Sequence, residues 1–159
     1  MENVEIKMKT NFWKDKKVLV TGATGILGSW LTKSLVDSYA DVTIMMRDQP
    51  HTSELFSSGY INKINIARGQ LENYYDIERI INEYEIEIIF HLGAQAIVQT
   101  ANRSPISTFK SNIEGTWNIL EAVRNNDKLV KGIVIASSDK AYGEKEKLPY
   151  YETDPLGGQ

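Results

Sequence analysis

The sequence predicts an α/β fold, a doubly wound parallel sheet of about five strands with helices between them. Three observations lead there. The apolar run Lys17-Val18-Leu19-Val20-Thr21 meets a turn holding Gly22, Gly25 and Gly28, and a helical pattern begins at once. Short apolar segments then alternate with segments of helical period along the rest of the chain. The length, 159 residues, fits one domain around a single core.

Residues 1–15 read as a polar lead-in, with Phe12 and Trp13 placed to pack on the edge of the domain that follows, 16–159. Lys17–Thr21 is the first strand. Leu27, Leu31 and Leu35 recur every four residues and predict one buried face of a first helix. Asp41–Met46 reads as the second strand, followed by a polar loop with Pro50. In Asn62–Ala67 the alternation of Ile64 and Ile66 with polar partners predicts a third strand. Ile77, Ile80, Ile81 and Tyr84 stand at i, i+3, i+4 and i+7, the spacing of a second amphipathic helix. Glu87–Leu92 is apolar and β-branched, a fourth strand buried on both faces. Phe109, Ile113, Trp117 and Leu120 stripe a long third helix that starts after Pro105, and Gly132–Ala136 is the fifth strand. From Gly143 to Gln159 the apolar periodicity stops and the chain ends in a loop.

Composition narrows the classes. The 18 basic and 21 acidic residues give a net charge of −3 with no basic tract, so nucleic acid is not an expected partner. There are no cysteines, which removes disulfide and thiolate chemistry and suits a reducing cytosol. The N-terminus has no signal-peptide pattern, and no run approaches the roughly 20 apolar residues of a membrane helix. The expectation is a soluble, cytoplasmic chain without a metal site.

The glycine turn carries the strongest chemical signal. A strand, a tight turn and a helix N-terminus bring free N–H groups and the positive end of a helix dipole to one point, where a pyrophosphate fits if no Cβ intervenes. The expected contacts are Thr21, Gly22, Thr24, Gly25, Ile26, Leu27 and Gly28. In such sheets ligands lie beyond the carboxyl ends of the strands, so each strand is read at its last residue. The second normally ends in an acid that binds the adenosine ribose of NAD. That place falls on Met46, with Arg47 and Asp48 just after. Arg47 could meet the 2′-phosphate of NADP or be a solvated loop charge. Past the third strand, Gln70 and Leu71 occupy the place where an Asp often contacts adenine. After the fourth, Leu92, Gly93, Ala94 and Gln95 let the backbone pass close to a cofactor, and His91 reads as a satisfied, partly buried histidine. The fifth ends in Ser137-Ser138-Asp139-Lys140, a hydroxyl, a carboxylate and an ammonium side by side. The same residues could equally cap a strand-end turn.

With Thr21, the spacing T-G-x-x-G-x-x-G resembles the extended short-chain dehydrogenase/reductase family, whose fold is of the Rossmann type. Stretches 12–22, 28–31, 90–98 and 112–124, with the loop from Pro50 to Phe56, resemble the nucleotide-sugar epimerases and dehydratases of that family, most of all the CDP-glucose 4,6-dehydratases. The resemblance runs from about Phe12 to Gln159. It implies NAD as cofactor (NADP being the alternative), Asn112 beside it, a nucleotide sugar such as CDP-glucose as substrate, and a homodimer for the full-length enzyme. It also implies roles at the fifth strand. Ser138 would hydrogen-bond the C4 hydroxyl, Asp139 would protonate the departing C6 hydroxyl, and Lys140 would assist proton removal at C5. Epimerases of the family resemble the chain at Ser138 but usually lack the adjacent acid–base pair, and the CDP-glucose type has Asp-Lys. A 4-epimerase and a non-catalytic NAD(P)-binding module are the other two readings.

Two departures from the family stand out. Ala23 and Leu27 replace the His and Lys usual in the glycine loop. None of the eight tyrosines is followed four residues later by lysine, so the family's Tyr-x-x-x-Lys is absent. The expectation is the N-terminal part of such an enzyme, ending before the substrate-binding part and inactive alone.

Overall fold

The computed structural model describes residues 10–48, 53–143 and 148–157. Five strands, β1 (Lys17–Thr21), β2 (Asp41–Met46), β3 (Asn65–Arg68), β4 (Ile88–His91) and β5 (Gly132–Ile135), form one parallel sheet in the order β3-β2-β1-β4-β5. The order reverses at β1, whose last residue, Thr21, stands opposite Met45 on one side and His91 on the other. That reversal opens a crevice at the carboxyl edge between β1 and β4.

The helices are α1 (Thr10–Trp13), α2 (Ile26–Asp37), α3 (Glu54–Ser57), α4 (Tyr74–Glu83), α5 (Val98–Arg103), α6 (Pro105–Phe109) and α7 (Gly115–Asn125). A π turn, Lys110–Glu114, joins α6 to α7. Alternate residues of the strands feed two cores. Val18, Val20, Val42 and Ile44 pack with Leu35 of α2 and Leu55 of α3. Leu19, Met45 and Ile89 pack on the other face with Ile77, Ile80 and Ile81 of α4 and with Ile119 and Ala122 of α7. An isolated ten-residue helix such as α4 is marginal in water. Its three fully buried isoleucines contribute about 1.5–3 kcal/mol each, and they decide that it forms. Asn73 caps it, its Oδ1 accepting from the N–H of Tyr75 at 3.1 Å. At the amino edge of the sheet Glu87 ties β4 to β1, accepting from Lys16 Nζ at 2.8 Å and from the N–H of Lys17 at 3.1 Å.

Several expectations need correction. The leucine stripe of α2 is only partly buried: Leu35 is inside, Leu31 half-buried, and Leu27 is 64% exposed. The inward face is instead Gly28, Ser29, Thr32 and Leu35, because a four-residue repeat drifts around a 3.6-residue helix. The third strand starts at Asn65, after a 3₁₀ turn over Tyr60–Lys63, and Ile66 faces outward at the sheet edge. The fourth strand is one residue shorter at each end than expected, and Ile88 and Phe90 are half-buried.

The largest correction concerns the third long helix. Phe109, Ile113, Trp117 and Leu120 are all at least 45% exposed. The buried face is Gly115, Asn118, Ile119 and Ala122. A competing i, i+3, i+4, i+7 pattern wins there because Gly115 lets the helix approach Leu71, whose Cβ would stand 2.7 Å from an added Cβ. The π turn also rotates α6 against α7.

The lead-in contains α1, whose Trp13 lies half-buried 5.9 Å from Phe90, while Phe12 meets Trp13 edge-on and stays exposed. Residues 1–9, Pro50 and the loop around it (49–52), and residues 144–147 and 158–159 of the tail lie outside the described residues. Among the described residues no helix is long and apolar enough to cross a membrane. Nor, among them, do three or more His, Cys, Asp or Glu gather where they could hold a metal ion.

Candidate functional site

The site begins at the turn after β1. Gly22 has φ +69°, a conformation that L side chains rarely adopt, and a Cβ there would stand 2.6 Å from the carbonyl carbon of Leu92. The N–H of Gly25 closes the turn on the Gly22 carbonyl at 3.0 Å. Helix α2 then starts with no side chain capping its N-terminus at Gly25, so its first N–H groups are left for another acceptor.

These N–H groups open on a cavity of about 690 Å³ along the carboxyl edge of the sheet. Of the residues expected from sequence, all seven from the glycine turn line it, together with Arg47, Leu71, Leu92, Gly93 and Ala94. Gln70, Gln95 and Asn112 do not. Gln70 is exposed and its N–H donates to Asp76 at 3.1 Å. Gln95 and Asn112 hold each other: the N–H of Gln95 donates to Asn112 Oδ1 at 2.7 Å, and Asn112 Nδ2 donates back to the Gln95 carbonyl at 3.1 Å. That pair fixes the loop whose neighbours Ala94 and Ala96 line the cavity.

The site residues expected from sequence left out Met45, Met46, Asp48, Gly69, Glu72, Ala96, Ser111 and Ala136 among the lining residues. Asp48 had a readable signal, since an acid is expected roughly 20 residues past the glycine turn, and it stands that far beyond Gly28. Its carboxylate accepts from Arg47 Nε at 2.6 Å, and both side chains are largely exposed. Behind the wall of the cavity His91 is buried and bonded at both ring nitrogens, to Thr21 Oγ1 at 2.7 Å and Thr116 Oγ1 at 3.1 Å. Burial holds its pKa below the ordinary 6.5.

Past β5 the chain turns through a 3₁₀ segment, Asp139–Tyr142, capped by Ser138. Ser138 Oγ accepts from the N–H of Lys140 and donates to Asp139 Oδ1, both at 3.2 Å. All three side chains are exposed, beyond Ala136 at the rim of the cavity. The tail folds back on this turn, where Tyr150 stacks on Tyr142 at 5.4 Å.

The cleft fits a dinucleotide on its own terms: a turn in which Gly22 and Gly28 have no room for a Cβ, an uncapped helix N-terminus and a cavity reaching the ends of the first, second and fourth strands. The profile of the family described as GDP-mannose 4,6 dehydratase matches residues 19–159. The chain belongs to that family. Membership places it with the NAD-dependent nucleotide-sugar dehydratases and epimerases of the short-chain dehydrogenase/reductase class. The chain is 35% identical over 150 residues to the CDP-glucose 4,6-dehydratase of Salmonella typhimurium, an alignment covering 93% of this chain and 42% of that protein. It is 30% identical over 140 residues to the UDP-glucose 4-epimerase of Lactobacillus helveticus, covering 88% and 41%. Among solved structures, the UDP-glucose 4-epimerase of Thermus thermophilus in complex with NAD superposes with a TM-score of 0.73 at 29% identity, over 89% of this chain and 44% of that one. The chain thus spans about two-fifths of the length of these curated relatives.

Proposed function

We propose that this chain is the NAD-binding part of a nucleotide-sugar 4,6-dehydratase that acts on CDP-glucose. The observation that carries the reading is the uncapped N-terminus of α2, facing the cavity across a turn in which neither Gly22 nor Gly28 has room for a Cβ. The N–H groups of Ile26 and Leu27, the first of the uncapped helix, would face the pyrophosphate, with Gly25 holding the turn closed on Gly22. Asp48 takes the adenosine ribose hydroxyls, and Leu71, Leu92, Gly93 and Ala94 wall the remaining length. NAD held by these residues would supply the hydride acceptor for sugar C4 and the hydride returned at C6.

The chain's own residues supply the acid–base work. Ser138 hydrogen-bonds the C4 hydroxyl, its own proton turning from Asp139 Oδ1 to the substrate, and once C4 is oxidised the 4-keto group acidifies the proton on C5. Lys140 assists its removal, and Asp139 delivers a proton to the C6 hydroxyl as it departs. An acid and a base on one turn suffice for that elimination. The adjacent Asp139-Lys140 pair favours dehydration over 4-epimerisation, which needs neither group. Similarity to the Lactobacillus helveticus epimerase keeps 4-epimerisation as the second reading.

The test is product analysis with the full-length protein, NAD⁺ and CDP-glucose. Dehydration yields a 4-keto-6-deoxy sugar, whereas inversion at C4 without loss of water would establish the epimerase. The 159-residue chain alone should turn over neither sugar, because no tyrosine in it has a lysine four residues on. A missing general base costs about 100- to 10,000-fold.

A further inference from the structure

The geometry points to His91 and Thr116 as positioning residues for the cofactor cleft: a one-way hydrogen-bond chain fixes His91 as the neutral Nε2–H tautomer and makes Thr21 hold Gly93 against the glycine turn. The chain has four links. The N–H of Gly93 lies 3.1 Å from Thr21 Oγ1, which lies 2.7 Å from His91 Nδ1. His91 Nε2 lies 3.1 Å from Thr116 Oγ1, which donates to the carbonyl of Asn112 at 2.7 Å.

Counting protons sets the direction. A carbonyl only accepts, so the single proton of Thr116 is committed to Asn112 and its oxygen can only accept from the ring. Nε2 must therefore carry hydrogen. In a neutral ring Nδ1 is then the acceptor, and the hydroxyl proton of Thr21 goes to it. The oxygen of Thr21 is left to accept from Gly93. Every donor has one acceptor. The other tautomer would set the lone pairs of Nε2 and Thr116 against each other, and an imidazolium would strand the Thr21 proton. Burial of Thr21 and His91 makes either alternative costly.

The consequence falls on the cleft. Thr21, Gly22 and Gly93 all line the cavity, and a Cβ on Gly93 would already stand 3.1 Å from Thr21 Oγ1 and 3.0 Å from Leu71 Cδ1. At such clearances a shift of the Gly93 loop changes the width of the cleft. The relay ends on Asn112, whose side chain grips the same loop two residues on, at Gln95. The loop is thus held at two points from α7 and its π turn, one of them through the histidine.

The inference rests on the cleft being the NAD site, and two readouts separate the two ideas. His51, the chain's other histidine, is replaced by Gln, and the ring nitrogens of ¹⁵N-labelled His91 are read by long-range ¹H–¹⁵N correlation in the folded protein. The relay requires protonated Nε2 and bare Nδ1. Thr116→Val should release that tautomer and weaken NAD⁺ binding about tenfold with the amide spectrum otherwise kept, and Thr116→Ser should restore both. A protonated Nδ1 in the starting protein, or Thr116→Val binding NAD⁺ undiminished, overturns the relay. Were the starting protein not to bind NAD⁺, the cofactor reading would fall, and the tautomer and its release by Thr116→Val would still decide the relay.

Discussion

Gly28 lies so close to Gly22 that a Cβ added to it would stand 2.1 Å from the Gly22 carbonyl oxygen and 2.8 Å from the Cα of Ala23. Within a helix, glycine to alanine ordinarily stabilises by about 0.5–1 kcal/mol. Here the neighbours are backbone and cannot give way. Gly28→Ala should therefore destabilise by about 3 kcal/mol or more in urea unfolding. Gly132→Ala, with nothing within 4 Å of the new Cβ, should stay within about 1 kcal/mol. Equal stability of the two variants would remove the close turn from the account.

Asp48, the acid proposed for the adenosine ribose, stands two residues beyond the place expected for it. Asp48 lines the cavity, and Arg47 is paired to it at 2.6 Å and not held out alone for a 2′-phosphate. NAD⁺ should bind more tightly than NADP⁺, and Asp48→Asn should weaken NAD⁺ about tenfold. Titrating both cofactors against the wild type, Asp48→Asn and Arg47→Ala checks this. Poor NAD⁺ binding throughout, with NADP⁺ affinity lost in Arg47→Ala, would reverse the assignment.

How much of this was legible in the sequence depended on whether a local pattern had a competitor. β1 and β2 were readable to the residue, since Lys17–Thr21 and Asp41–Met46 are apolar runs bounded by polar or glycine turns. The glycine turn was readable because its chemistry demands residues with no side chain. The inward face of α7 was not. Phe109, Ile113, Trp117 and Leu120 make the larger apolar stripe, yet Gly115, Asn118, Ile119 and Ala122 pack closer, and a π turn leaves no mark in composition. His91 was legible as a satisfied histidine, but its partners Thr21 and Thr116 meet only once β1, β4 and α7 are assembled.

Stability should fall in acid partly through Glu87. Its hydrogen bond from Lys16, then that from the N–H of Lys17, hold the carboxyl below the ordinary 4.5 in the folded chain. The unfolded chain takes up this proton more readily, so the contribution is complete above about pH 4.5 and is lost as the pH falls through that value and past the lower folded one. Glu54, beside Lys33, and Glu121, beside Arg124, act in the same direction. Glu87→Gln should cost about 1 kcal/mol at pH 7 and flatten the acid limb without abolishing it. Urea unfolding at a series of pH values reads both effects, and an unchanged acid limb would discard Glu87 as a contributor.

Phe109, Ile113, Trp117 and Leu120 form an exposed apolar face, and Val134 and Ile135 are exposed on β5, the last strand of the sheet. A face of this kind associates in water. Sedimentation should show the 159-residue chain self-associating with concentration, and Ile113→Lys with Trp117→Lys should leave a folded monomer. Unchanged association in the double variant would place the contact elsewhere.

Gly25 allows the most direct test of the cofactor site, because a side chain there fills the cradle and asks only a small shift of one neighbouring atom. Its backbone is extended at φ −77°, ψ 176°, and the one neighbour an added Cβ would meet is the Gly22 carbonyl oxygen at 3.3 Å. The measurement is calorimetric titration of NAD⁺ into the wild-type chain and into Gly25→Val, each first shown to be folded by its amide spectrum. One saturable site is expected in the wild type, and its loss in Gly25→Val. No saturable binding by the folded wild type, or equal binding by a folded Gly25→Val, would contradict the assignment of this cleft to NAD.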